Sequence, residues 1–114
     1  MISVNINGIE IENSRAAHAR ADVSIDAASA VVYTAPADSS AMVTINLCNR
    51  ETTDYTFKIA VSPNTTPGNS DWIDYDTRII AHGAIEREGI VLGPNENLII
   101  GAFSVVAPEV LPID

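Results

Sequence analysis

The chain has 114 residues, fifteen acidic and six basic side chains, a net charge of −9 and one cysteine. That length and an apolar share of 46% fit a single folded domain, and a lone cysteine excludes an internal disulfide. No apolar run is long enough to cross a bilayer as a helix, and the clustered Lys and Arg that nucleic-acid binding needs are missing, so neither a membrane nor a nucleic-acid partner is expected.

The first element, Ile2-Ser3-Val4-Asn5-Ile6-Asn7-Gly8-Ile9-Glu10-Ile11, carries an Asn-Gly pair between alternating residues. This is the strongest short-range signal for a β-hairpin. With Asn7 and Gly8 as the turn, Ile6 pairs with Ile9 and Val4 with Ile11, so that Ile2, Val4, Ile6, Ile9 and Ile11 share one apolar face. An isolated hairpin is marginal in water, so that face is expected to dock, either on the body of its own chain or on a neighbouring subunit. Residues 13–21 are alanine-rich and break the strand pattern; they read as a connector, a loop or two turns of helix, with His18 in solvent. Glu10, Glu12, Arg15 and Arg20 cancel, so the remainder carries the excess, thirteen acids against four bases.

The body then reads as strands. Val23 and Ile25 alternate with Ser24 and Asp26, and Ala30–Thr34 form a strand stopped at Pro36. Ala41, Val43, Ile45 and Leu47 alternate with Met42, Thr44, Asn46 and Cys48. After a polar turn at 49–54, Tyr55, Phe57, Ile59 and Val61 share a face. These two segments make the clearest candidate for an antiparallel pair. Residues 62–70 are a loop by composition. Trp72–Tyr75, Arg78–Ala81, Ala84–Leu92 with a bend at Gly89, Leu98–Ile100 and Phe103–Val106 complete the strands. The two prolines of 108–114 suggest an extended tail. The expected fold is all-β, an antiparallel β-sandwich or jelly roll with an N-terminal β-hairpin arm. The expected divisions are 1–20 for arm and connector, 21–107 for the sandwich body and 108–114 for the tail.

No nucleotide loop, nucleophile elbow, zincin motif or EF-hand loop occurs, and no cofactor is expected. Cys48 reads as a small buried strand residue. Asp74 and Asp76 project from one face of an extended segment and either ligate Ca²⁺ or form a solvated strand face. Glu86 and Glu88 make a similar pair; as acid and base of a small glycosidase, either pair would need a sugar groove. By alternation Trp72 shares the face of Asp74 and Asp76. It is an exposed interface anchor if Ile73 and Tyr75 point to the core, unless a bulge turns it inward. Asn64-Thr65-Thr66 fits a glycosylation acceptor, but no leader is seen ahead of it and synthesis in the cytoplasm is expected.

Several segments in order carry a resemblance: Val32-Tyr33-Thr34-Ala35-Pro36, Val43-Thr44-Ile45-Asn46-Leu47-Cys48-Asn49-Arg50, Lys58-Ile59-Ala60-Val61, Asp71-Trp72-Ile73-Asp74-Tyr75-Asp76-Thr77 and Leu92-Gly93-Pro94-Asn95-Glu96. Over roughly residues 23–106 the chain resembles a small β-sandwich module of tailed-bacteriophage virion proteins, of head-decoration or tail-fibre type. The resemblance implies a non-enzymatic virion part that assembles in symmetric copies, a homotrimer being the commonest expectation. On the head it would be a decoration or cement protein bound to the major capsid protein. A tail or tail-fibre component, or a carbohydrate or host-surface binding module using Trp72, Asp74 and Asp76, are the alternatives. The apolar residues of the hairpin, Ile2, Val4, Ile6, Ile9 and Ile11, together with Trp72, are the expected interface residues.

Overall fold

A computed structural model of the chain describes residues 1–24 and 27–105. Among them are eight strands and no helix: β1 (Ile2–Glu10), β2 (Arg15–Val23), β3 (Ala27–Thr34), β4 (Ala41–Asn49), β5 (Tyr55–Ser62), β6 (Trp72–Ile79), β7 (Ala84–Leu92) and β8 (Asn97–Ser104). They form two four-stranded sheets, ordered β2-β1-β4-β7 and β3-β8-β5-β6. Every pairing is antiparallel, and the sheets pack as a β-sandwich over one apolar cluster. Counting β1 after β8, the sheets read 1-8-3-6 and 2-7-4-5. That is the strand order of an eight-stranded jelly roll whose closing strand has moved to the front of the chain.

The alternation in β4 sets the pattern for the first sheet. Ala41, Val43, Ile45 and Leu47 are buried, while Met42, Asn46 and Cys48 face outward. In the second sheet, Phe57 and Ile59 of β5 meet Leu98, Ile100 and Ala102 of β8 in the same core. β8 lies between β3 and β5 and is buried from Asn97 to Ala102. Burial on both faces explains why it reads as the unbroken apolar run Leu98-Ile99-Ile100.

The N-terminal segment differs from the sequence expectation. β1 does not turn at Asn7-Gly8. It runs straight through to Glu10 as a central strand, paired with β2 on one side and β4 on the other. The turn falls at residues 11–14 and is helped by Ser14 at φ 52°. Ile2, Val4 and Ile6 are consequently core residues, at 0%, 2% and 0% exposure, while Ile9 and Ile11 point outward. The five do not share a face. Residues 15–23 are a strand rather than a connector. Ala17 is buried and Ala19 and Ala21 pack against the core, alternating with His18, Arg20 and Asp22. Alanine's helix propensity hid a period of two whose apolar members are small.

β4 and β5 do not pair either, since they belong to opposite sheets. The chain crosses the sandwich at Asn49, which is fully buried. Its amide donates to the carbonyls of Thr53 (2.9 Å), Ile80 (3.1 Å) and Ile79 (3.3 Å), and its oxygen accepts from the Glu51 N–H at 2.9 Å. A buried amide satisfied in this way fixes the corner between the sheets. The strand and bend expected at Ala84–Leu92 are present, with Gly89 at φ 70°. Ile25 and Asp26, Val106 and the expected tail at 108–114 lie outside the described residues.

A second clamp holds the β1–β2 turn to the loop before β4. The Glu12 carboxylate accepts from the Ser40 N–H at 2.7 Å and from the Ser39 hydroxyl at 2.9 Å. These bonds, the Ser40 N–H first, hold its pKa below the usual carboxylate range. Asp54 is lowered likewise by the Ala81 N–H and then by Arg78. A carboxylate lowered on folding contributes stability that is present above its unfolded pKa of about 4, and that is lost as pH falls through the folded value. The melting temperature should therefore hold from neutral pH to about pH 5 and drop below about pH 4. Glu12→Gln should be less stable at neutral pH and show a shallower acid drop. Melting curves across pH check this, and a variant tracking the natural protein at every pH would remove Glu12 from the account.

Candidate interaction surfaces

The outer face of the first sheet is laid out in cross-strand rows. At one end Ala16, Ile9, Met42 and Val91 stand side by side across β2, β1, β4 and β7. Ile9, Met42 and Val91 are 49%, 46% and 54% exposed. Four residues further along the strand the row is Arg20, Asn5, Asn46 and Glu86, and beyond it Asp22, Ser3, Cys48 and Ala84. Between the apolar and polar ends, His18 pairs with Asn7 and Asn7 with Thr44, and the His18 Nδ1 lies 2.9 Å from the Asn7 amide oxygen. A shallow hollow of about 590 Å³ lies over the polar end, lined by Ser3, Asn5, Arg20, Asp22, Asn46 and Cys48 among others. Cys48 is exposed here rather than buried; its place opposite Leu47 in the alternation of β4 required this.

The basic side chains are largely paired. Five of the six Lys and Arg residues are in ion pairs: Arg15–Glu10, Arg50–Asp22, Lys58–Asp76, Arg78–Asp54 and Arg87–Asp74. Arg20 is the basic side chain without one among the described residues. The amino terminus pairs with Glu51.

One side of the sandwich, between the edge strands β6 and β7, is closed by side chains. Arg87 of the first sheet donates to Asp74 of the second at 2.6 Å, and Thr77 donates to the same carboxylate. The Arg87 guanidinium also lies 5.7 Å from the Phe57 ring centre. Both strands are bulged: the β4–β7 register shifts between Val43 and Ile45, near Gly89, and the β5–β6 register shifts twice between Phe57 and Ala60, near Asp76 at φ 55°. Each bulge bends its strand and re-aims its side chains. A groove of about 370 Å³ runs along this side, lined by Ile59, Val61, Ile73, Asp74, Arg87 and Ile90 among others.

On the outer face of the second sheet the Lys58 ammonium sits 4.2 Å from the Tyr75 ring centre and 4.8 Å from that of Phe103. Trp72 packs edge-on to Tyr75, with centroids 5.8 Å apart and planes at 76°. Trp72 is thus half-buried, whereas Ile73 and Tyr75, the residues that alternation sends to the core, are 55% and 58% exposed. The bulge in β6 breaks the period of two. It also separates Asp74 and Asp76: the first is bonded to Arg87 across the sandwich and the second pairs with Lys58 at 3.4 Å. They do not form a shared ligand pair, and among the described residues no group of three or more His, Cys, Asp or Glu is placed to hold a metal ion. Glu86 and Glu88 are both exposed.

Of the expected interface residues, then, Ile2, Val4 and Ile6 belong to the core, Ile9 and Ile11 to the surface, and Trp72 to an aromatic cluster. Sequence reasoning missed Met42 and Val91, which complete the apolar row, and Ile80, 62% exposed at the turn after β6. The signal for the first two was available: each is the large apolar residue on the polar side of an otherwise alternating strand. Searches of protein-family models, of curated proteins and of solved structures found no match to this chain.

Proposed function

We propose that the chain is a non-enzymatic structural protein of a tailed-phage virion. It is made in the host cytoplasm and carried in symmetric copies on the head surface, as a decoration or cement protein on the major capsid protein. The observation that carries this reading is the apolar flank along β6 and its turn. Ile73, Tyr75 and Ile80 are each more than half exposed there, on a strand whose ionic groups, Asp74, Asp76 and Arg78, are already paired within the molecule. An exposed aromatic and two aliphatic side chains held on a rigid strand suit a contact made by area and shape. The binding of sugars has less support, because both carboxylates of β6 are engaged and the Trp72 and Tyr75 rings stand edge to face rather than as a flat platform.

The test is to purify virions of the phage or prophage that encodes the chain, locate the chain by mass spectrometry of separated heads and tails, and measure its binding to empty heads. The chain is expected in the head fraction, and Tyr75→Lys with Ile73→Asp should abolish head binding without altering the circular dichroism spectrum. Recovery only with tails would replace the head assignment with the tail one. Absence from virions would overturn the proposal.

A further inference from the structure

We propose that the outer face of the first sheet is the surface through which two copies of this chain pair, face to face about a two-fold axis. The pairing is a property of that face alone and is independent of where the chain acts.

The face is self-complementary about one particular axis. Consider a two-fold axis in the plane of contact, running along the strands midway between β1 and β4. It lays β2 of one copy over β7 of the other and β1 over β4, without shifting position along the strands. The apolar row Ala16–Ile9–Met42–Val91 then lies on its own counterpart, Ile9 over Met42 and Met42 over Ile9. In the polar row, the same operation lays Arg20 over Glu86 and Glu86 over Arg20, with Asn5 over Asn46 between them. His18 on β2 is laid over the β7 bulge that carries Glu88. One flank of the face carries Arg20, the basic side chain without an ion pair among the described residues, and a histidine, and the opposite flank carries two exposed glutamates. A closed two-fold contact requires a patch of this kind, in which residue i meets j and j meets i.

The area is sufficient. Four strands about 4.8 Å apart and nine residues long cover roughly 570 Å², so two such faces remove roughly 1,100 Å² from water, at the lower end of specific interfaces. Outward-facing Asn5, Asn46, Ser3 and the hollow above them make half of that contact polar and wet, as non-obligate interfaces are. The opposite charges at the flanks also offset the repulsion of two chains that each carry −9.

The experiment is sedimentation equilibrium of the full chain with four variants. The natural protein is expected to sediment as a dimer that dissociates on dilution. Met42→Glu should be monomeric. Arg20→Glu and Glu86→Arg should each weaken pairing at least about tenfold, because every substitution acts twice across a two-fold contact. The double variant Arg20→Glu with Glu86→Arg should recover it, since the swapped row is again complementary to itself. All three side chains point outward, so circular dichroism spectra should be unchanged. A monomer at every concentration, a trimer, a dimer indifferent to these variants, or single losses that the double variant does not restore would each overturn the proposal.

Discussion

Removal of residues 1–20 is expected to abolish folding altogether. The deletion takes away β1, which is central in its sheet, and most of β2. Ile2, Val4 and Ile6, each at most 2% exposed, leave the core together. Burial of three such side chains contributes about 5–9 kcal/mol, comparable with the whole net stability of a small domain, about 5–15 kcal/mol. β4 would also lose a complete ladder of backbone bonds along Ala41–Asn49. The truncated chain should show no cooperative melt and no dispersion of amide proton shifts. The single-residue form of the same prediction compares two isoleucines of one strand. Ile6→Ala should cost about 2–5 kcal/mol, whereas Ile9→Ala, 49% exposed, should stay within about 0.5 kcal/mol. Urea titrations of both variants measure the difference. A truncated protein that still melts cooperatively would mean that β1 is dispensable to the sandwich.

Gly8→Ala is expected to be the most damaging small substitution in the chain. Gly8 lies in register between Ala17 and Val43. A Cβ there would overlap the Met42 carbonyl oxygen and come within 2.7 Å of the Val43 Cα. Those atoms are backbone of the adjacent central strand and have no rotamer by which to retreat. Separation of β1 from β4 is the only relief, so the cost should be about 3 kcal/mol or more. Asn7→Ala next to it should be nearly neutral, because its side chain is exposed and its hydrogen bonds among the described residues are to His18 and Asn5. If Asn7-Gly8 formed a tight turn, both positions would matter, since both central residues of such a turn take positive φ. Denaturation midpoints of the two variants separate the cases.

The sandwich was legible from the sequence where its strands alternate cleanly. β4 does so throughout and β5 from Tyr55 to Ile59, and their inward residues form the core as expected. Three places were not legible, each for a physical reason. Asn-Gly signals a turn only when the strand has no better use for a residue without a side chain, and Gly8 serves close approach instead. β2 buries alanines, whose size gives no hydrophobic contrast. In β6 a bulge at a residue of positive φ cancels the period on which the placing of Trp72, Asp74 and Asp76 rested. The pairing of strands was harder still: neighbours in sequence such as β4 and β5 sit in opposite sheets, and what sends them apart is one buried amide, Asn49, that looks like any polar turn residue. The interaction surfaces were partly visible. The hairpin reading puts Ile9 and Ile11 on one docking face with Ile2, Val4 and Ile6, whereas only Ile9 and Ile11 reach the surface, and Met42 and Val91 become a patch only once the register of three strands is known.

The two bulges on the β6–β7 side have a consequence for how copies of this molecule are kept from joining without limit. A strand with open N–H and C=O groups invites another to add to it, and a rigid protein held at high local density meets its own edges constantly. Here the free edges of β6 and β7 are each interrupted by a left-handed residue, Asp76 and Gly89, so an incoming strand loses register within a few residues. The Asp74–Arg87 bridge holds the two edges in that bent state. Side chains on this flank remain available to a partner of different shape, while ribbon-like growth from the β6 and β7 edges finds no continuous template.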